Sequence, residues 1–160
     1  MPLTFAERSD AAVPIHVVAA DHCEAAIAQL SESGLHWATT QQFTAALGQT
    51  LLVPDADGSI AQVLVGYGTD AQRARGRFHM GTVARALPHA DYTIASGLVG
   101  AALEEAALAW LLAGYTFDQY RKPADPIAGL VAPEGIDVDR IAIIANGEAL
   151  TRDLINTPAS

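Results

Sequence analysis

Short runs of β-branched and aliphatic residues alternate with helical stretches along residues 13–155, and this alternation constrains the fold more than any other feature. VPIHVVAA (13–20) reads as a buried strand. Residues 51–53 and 60–65 are two apolar runs separated by Pro54, Asp57 and Gly58, and Asp57-Gly58 is a strong turn signal, so the pair reads as a β-hairpin. DYTIA (91–95) and GLVA (129–132) are further short strands.

The intervening stretches carry helix signals. Asp21 stands where an N-cap belongs, with Glu24 as its capping-box partner three residues on. The helix it starts carries Ala25, Ala26, Ile27 and Leu30 and is expected to stop near Gly34. Thr69 or Asp70 opens a second helix with Ala74, Phe78 and Val83 or Leu87 facing inward, ended by Pro88. Residues 100–115 are apolar nearly all round, which predicts the most buried helix of the protein. From Asp137 a last helix runs to about Ile155, with Val138, Ile141, Ala145 and Ala149 at helical spacing, so one stripe of it should dock. Strands interleaved with helices, plus one hairpin, predict one α/β domain: a three-layer α/β/α arrangement with a mixed sheet.

The charge balance narrows the function. Nine Lys and Arg against eighteen Asp and Glu give a formal charge of −9, which argues against a nucleic-acid partner, since such binding rests on clustered basic residues. The one basic cluster, RARGR (73–77), reads as a solvated surface. The richest apolar stretch (97–115) is interrupted by Glu104 and Glu105, so no membrane span is expected. A single cysteine, Cys23, excludes an internal disulfide, fits a reducing compartment and makes the cytoplasm the expected location.

Each candidate for chemistry has a plainer reading beside it. GYGTDA (66–71) follows a strand, opens a helix and matches G-x-G-x-x-A, so Gly66, Gly68 and Ala71 could cradle a pyrophosphate; a tight strand-to-helix turn selects the same glycines. In DHCE (21–24) neighbouring side chains on a helix point about 100° apart and do not converge on one ion. His16, His36, His79 and His89 are scattered without a carboxylate at ligand spacing, and His16 reads as a hydrogen-bonded core or edge residue. Glu104 and Glu105, as helix neighbours, diverge rather than share a substrate. No catalytic residue and no metal site are expected within the chain.

Two stretches then bring in a family. RDLINTPAS (152–160) resembles the segment joining the two domains of leucyl aminopeptidases, the cytosolic dimetal aminopeptidase family. AWLLAGYTFDQYRK (109–122) resembles that family's helix ending in a Gly-Tyr-x-Phe-Asp-x-Tyr-Lys type sequence, and VLVGYGTDAQ (63–72) is similar to its strand-turn-helix. The likeness is strong over residues 60–160 and weak before residue 50. It implies a two-domain parent enzyme. Residues 1–136 would be a macro-like N-terminal α/β domain, and 137–160 a connector helix and junction, with Arg152, Asp153, Asn156, Thr157 and Pro158 as the junction residues. It also implies a separate C-terminal domain that holds two divalent metals, zinc or manganese, cleaves N-terminal residues from peptides, and assembles as a hexamer. The family's Asn-Thr-Asp-Ala-Glu-Gly-Arg-Leu signature does not occur in the sequence, so the chain is expected to stop where the catalytic domain begins. A structural, assembly or regulatory role follows; the alternative is a module binding ADP-ribose or a nucleotide at residues 66–71.

Overall fold

The computed structural model describes residues 2–117 and 126–157. The chain runs β1 (Val13–Ala19), α1 (Cys23–Ala28), α2 (Glu32–Thr40), β2 (Thr50–Pro54), β3 (Ile60–Gly68), α3 (Asp70–Arg73), α4 (Met80–Ala86), β4 (Asp91–Ser96), α5 (Gly100–Ala113), β5 (Gly129–Leu130) and α6 (Val138–Asn156). The sheet order is β2-β3-β1-β4-β5, with β2 antiparallel to β3 and every other neighbouring pair parallel. This is the mixed three-layer sheet that the alternation predicts.

Alternation along β1 sends side chains to two cores. Ile15 and Val17 join Val63, Val65, Tyr92 and Leu130 against Met80, Val83, Trp110, Ile141 and Ala145, the layer built by α4, α5 and α6. Val18 joins Leu51, Val53 and Leu64 on the other face, covered by Ala38, Phe43 and Ala45, with Ile27 and Leu30 of α1 and its exit half-buried on it. A strand buried on both faces should be apolar nearly throughout, and in β1 His16 is the exception.

Both ladders of β1 slip toward its carboxyl end. Ile15 pairs with Ile94 but His16 with Ser96, and Val18 pairs with Gly66 but Ala19 with Gly68. Gly97, just beyond β4, has φ +94°, and a Cβ there would lie 1.9 Å from the Val17 carbonyl oxygen, so glycine alone lets the chain leave the sheet at this point.

The hairpin forms as expected. Asp57 accepts from the Ser59 N–H at 2.9 Å and the Ser59 hydroxyl at 2.6 Å, and Gly58 takes φ +86°. The edge strand β2 has one of its free acceptors occupied, because the Trp37 indole donates to the Leu52 carbonyl at 2.9 Å.

Two expected helices are divided differently. Asp21 lies inside a 3₁₀ turn (Ala20–His22) rather than before it, and no side-chain cap forms there or at α1, so the Asp21/Glu24 capping box is absent. The chain pauses after Ala28 because Ser31 is the better cap: its hydroxyl accepts from the Gly34 N–H at 3.1 Å and starts α2, with Gly34 in its first turn rather than at a stop. The expected helix after residue 69 is also broken. Thr69 and Gln72 form a full capping box over α3, but Phe78 takes φ +60° and α4 begins at Met80. Glu105 of α5 fills the gap, accepting from the Phe78 N–H at 3.2 Å and from Arg77. Phe78 and Ala74 therefore face solvent, while Val83 and Leu87 are buried as expected.

α5 is the most buried helix, with Trp110 donating to the Ala128 carbonyl at 2.8 Å. α6 begins at Asp137, whose carboxylate accepts from the Arg140 N–H at 3.0 Å, and it docks through Ile141 and Ala145, with Val138 and Ala149 half-buried. Asn146 holds the amino-terminal strap: its side chain accepts from the Leu3 N–H at 2.8 Å and donates to the Leu3 carbonyl at 2.9 Å. Further along that strap, Ala6 bridges Val131 beside β5.

Gly147 sits mid-helix with nothing within 4 Å of where its Cβ would be. Gly147→Ala should therefore stabilise the domain by about 0.5–1 kcal/mol. In a thermal melt followed by circular dichroism the midpoint should rise by about 1–4 °C; a fall would show that the open surface beside Gly147 is occupied in solution.

Candidate functional site

The turn at residues 66–71 is accounted for by the chain that packs on it. A Cβ on Gly66 would lie 2.0 Å from the Ala46 carbonyl oxygen. The Gly66 N–H donates to Gln49 O at 2.7 Å and the Gly68 N–H to Ala45 O at 2.9 Å, so both groups are used within the fold. Arg73 reaches back under the turn, donating to the Tyr67 and Gly68 carbonyls at 2.8 Å each and to Asp70. Its guanidinium lies 4.6 Å from the Tyr67 ring centre, and His79 meets that ring edge-on. Burial pushes the Tyr67 hydroxyl pKa up; the Arg73 charge opposes the rise and Glu105 adds to it. Ala71 is exposed on α3.

The basic cluster is not one face. Arg73 is tucked under the turn, Arg77 pairs with Glu105 at 2.7 Å, and Arg75 is exposed. Glu104 turns the other way to Arg140 at 3.1 Å, so the two glutamates diverge as their spacing predicts. Burial alone would raise the Glu105 pKa, but the hydrogen bonds from Arg77 and the Phe78 N–H, with the Arg77 and His79 charges, bring it below its ordinary value. His36 and His89 are exposed, and His22 lies 3.9 Å from Asp21. Cys23 lies against the Phe43 carbonyl at 3.7 Å; partial burial, then the neighbouring Glu24, raises its thiol pKa. Among the described residues no group of three or more His, Cys, Asp or Glu is placed to hold a metal ion.

Sequence reading did not foresee a cleft of about 400 Å³ between α1 and the sheet, lined by β1, by Gln62, Leu64 and Tyr67 of β3, and by Ser96 at the end of β4. His16 and Ser96 face each other in it, Nδ1 to Oγ at 2.7 Å. The available signal was a lone histidine in an apolar strand; the slip that brings Ser96 opposite it leaves no mark in the sequence. His16 is on the central strand, so the edge position allowed for it is not the one it takes.

The two stretches that carry the family likeness meet in space. The Tyr115 hydroxyl donates to Asp153 at 2.9 Å and accepts from Asn156 at 3.3 Å, and the Arg152 guanidinium lies 5.4 Å from the Tyr115 ring. Thr157 is extended, with φ −84° and ψ 118°, as a residue before proline should be; Pro158 and residues 118–125 lie outside the described residues. Along the same helix α6 exposes Ile143, Leu150, Leu154 and Ile155, the last two at 70% and 77%.

The family model described as M17 aminopeptidase, N-terminal domain, matches residues 13–133. The chain belongs to the M17 aminopeptidase family. Its fold matches those of two solved proteins. Cytosol aminopeptidase from Coxiella burnetii superposes with a TM-score of 0.83 at 24% identity, over 95% of this chain and 33% of that one. The bottromycin maturation enzyme BotP superposes with a TM-score of 0.62 at 24% identity over 92% of this chain and 33% of its own. BotP in complex with Mn gives 0.61 at 22% identity over 92% of this chain and 32% of its own. This chain thus spans about a third of the length of each of these proteins. Among curated proteins, none matches. No helix among the described residues is long and apolar enough to cross a membrane.

Proposed function

We propose that this chain is the non-catalytic N-terminal domain of a two-domain metallo-aminopeptidase, with residues 137–160 as the connector to a catalytic domain that holds two divalent metals. The observation that carries the reading is the N-terminal-domain match over residues 13–133 in a chain spanning a third of its structural relatives. Manganese is the favoured metal of that catalytic domain, since BotP is described in complex with Mn; zinc is the other candidate. Peptides with a free amino terminus would be the substrate of the whole enzyme, cytoplasmic and hexameric, and this domain would contribute structure and assembly.

Surface chemistry supports a covering partner. The exposed apolar end of α6 adjoins a groove of about 540 Å³ lined by Phe78, Leu108, Leu112 and Ile144, with Arg85 and Arg152 among its lining residues. Apolar surface gathered in one place marks an interaction site more often than a monomer's ordinary exterior. A dimetal hydrolase needs bridging carboxylates holding ions roughly 3.5–4 Å apart, whereas Glu134, Asp70, Glu105, Glu104 and Glu148 are each tied to one arginine, Arg8, Arg73, Arg77, Arg140 and Arg152 in turn. Purified chain given leucine p-nitroanilide with manganese or zinc should release p-nitroaniline no faster than the metal-only blank. Turnover above the blank that co-elutes with the protein would overturn the reading.

A further inference from the structure

We infer that the cleft between α1 and the slipped ends of β1 and β4 binds an uncharged heterocycle of nucleobase or nucleoside size, read by the His16–Ser96 pair. The inference stands apart from the aminopeptidase reading and uses none of its residues.

The cleft is built by specific departures from a regular sheet. In unbroken register His16 would face Ala95; the slip instead sets the Ser96 hydroxyl 2.7 Å from its imidazole. Irregularities of this kind are over-represented beside binding sites because they re-aim one side chain. The second slip, at Val18 and Ala19, loosens the other flank of the same strand end, and Gly97 lets the backbone cross Val17 without filling the space. β1 leaves toward α1 on one face while β4 leaves toward α5 on the other, and crevices at such divergences are the usual ligand sites of open parallel sheets. About 400 Å³ falls within the range of small-molecule sites.

Lining chemistry selects the ligand. Ala26, Leu30 and Leu64 offer apolar flanks, one from the helix side and one from the sheet, between which a flat body fits. His16, His22, Ser96, Gln29, Gln62 and Tyr67 supply the polar contacts, and each can present a donor or an acceptor. His16 engages Ser96 through Nδ1, leaving Nε2 with no protein partner among the described residues. Among the described residues no Lys, Arg, Asp or Glu lines the cleft. Among the described lining residues a phosphate would find no lysine or arginine and a metal no carboxylate, only the imidazoles of His16 and His22, whereas a base edge alternating donors and acceptors meets its complement.

The test titrates the 160-residue chain with adenosine, guanosine, cytidine and uridine at millimolar concentration, by calorimetry and by imidazole ¹⁵N shifts. At least one nucleoside should bind saturably and move the His16 resonances. Ser96→Ala should weaken that binding about tenfold, the loss of one good hydrogen bond. Ala26→Trp, which fills the cleft from α1 and leaves the His16–Ser96 pair intact, should abolish it. If none of the four binds, or binding survives Ala26→Trp, the inference fails. It also fails if a 5′-monophosphate binds more than about tenfold tighter than its nucleoside, because the site would then be reading charge.

Discussion

Gly66→Ala should leave little folded protein. The added methyl would sit 2.0 Å from the Ala46 carbonyl oxygen and 2.6 Å from the Ala45 carbonyl carbon, both backbone atoms that no rotamer change can move. Relief requires the 45–49 loop to lift off β3. That would break the bond from the Gly66 N–H to Gln49 at 2.7 Å, and those from Gly48 to Gly66 and from Gly68 to Ala45 at 2.9 Å. It would also uncover Phe43 and Ala45, which are buried in the second core. Overpacking combined with broken backbone pairing belongs to the severe class of substitutions, at about 4 kcal/mol or more. Gly66 has no positive φ, so the cost is steric rather than conformational. Denaturant unfolding measures it directly. A loss under about 0.5 kcal/mol, the size of an ordinary surface change, would mean that the glycine serves a ligand's approach and not the loop's.

Trp110→Ala is the second large effect. The indole is 2% exposed, tilted against Tyr92 at 6.2 Å, and donates to the Ala128 carbonyl at 2.8 Å. Removing such a side chain costs about 3–5 kcal/mol through lost contact and the cavity left behind. The orphaned Ala128 carbonyl would add a desolvation cost of about 1–3 kcal/mol. Trp110→Phe keeps much of the volume and loses the hydrogen bond, so it should fall between the variant and the parent. Urea unfolding with an unchanged slope would report both; a loss below about 2 kcal/mol for the alanine variant would show that the α5 layer closes over the gap.

Features written in local chemistry were legible in the sequence. Asp57-Gly58 specified the hairpin, the nearly all-apolar composition of residues 100–113 specified the buried α5, and Asp137 specified the start of α6. Misreadings arose where distant groups decide. Asp21 looked like a cap, yet Ser31 wins because β1 runs directly into a 3₁₀ turn. Phe78 looked inward, yet Glu105 on α5 captures its N–H and turns the chain out. Gly66 and Gly68 matched a phosphate-binding pattern whose stronger cause, the 45–49 loop, lies twenty residues upstream in sequence and only in space beside them. The His16–Ser96 pairing depends on a ladder slip that no local preference encodes. The junction differs again: Arg152, Asp153 and Asn156 were singled out by family likeness, but their shared partner Tyr115 emerges only from the packing of α5 against α6.

The clamp of Asn146 on Leu3 joins groups 143 positions apart, and this sets the order in which a nascent chain can mature. At roughly 5–20 residues per second on the ribosome, the wait between making residue 3 and residue 146 is on the order of ten seconds, and longer once the exit tunnel is counted. Until residue 146 is made the Asn146 clamp on Leu3 cannot form, so once residues 129–131 appear the strap is held at the outer margin of β5 by the Ala6 backbone contact without that clamp. The domain's first residues are thus among the last to find their place, and its vulnerability to mispairing falls during synthesis, before α6 emerges.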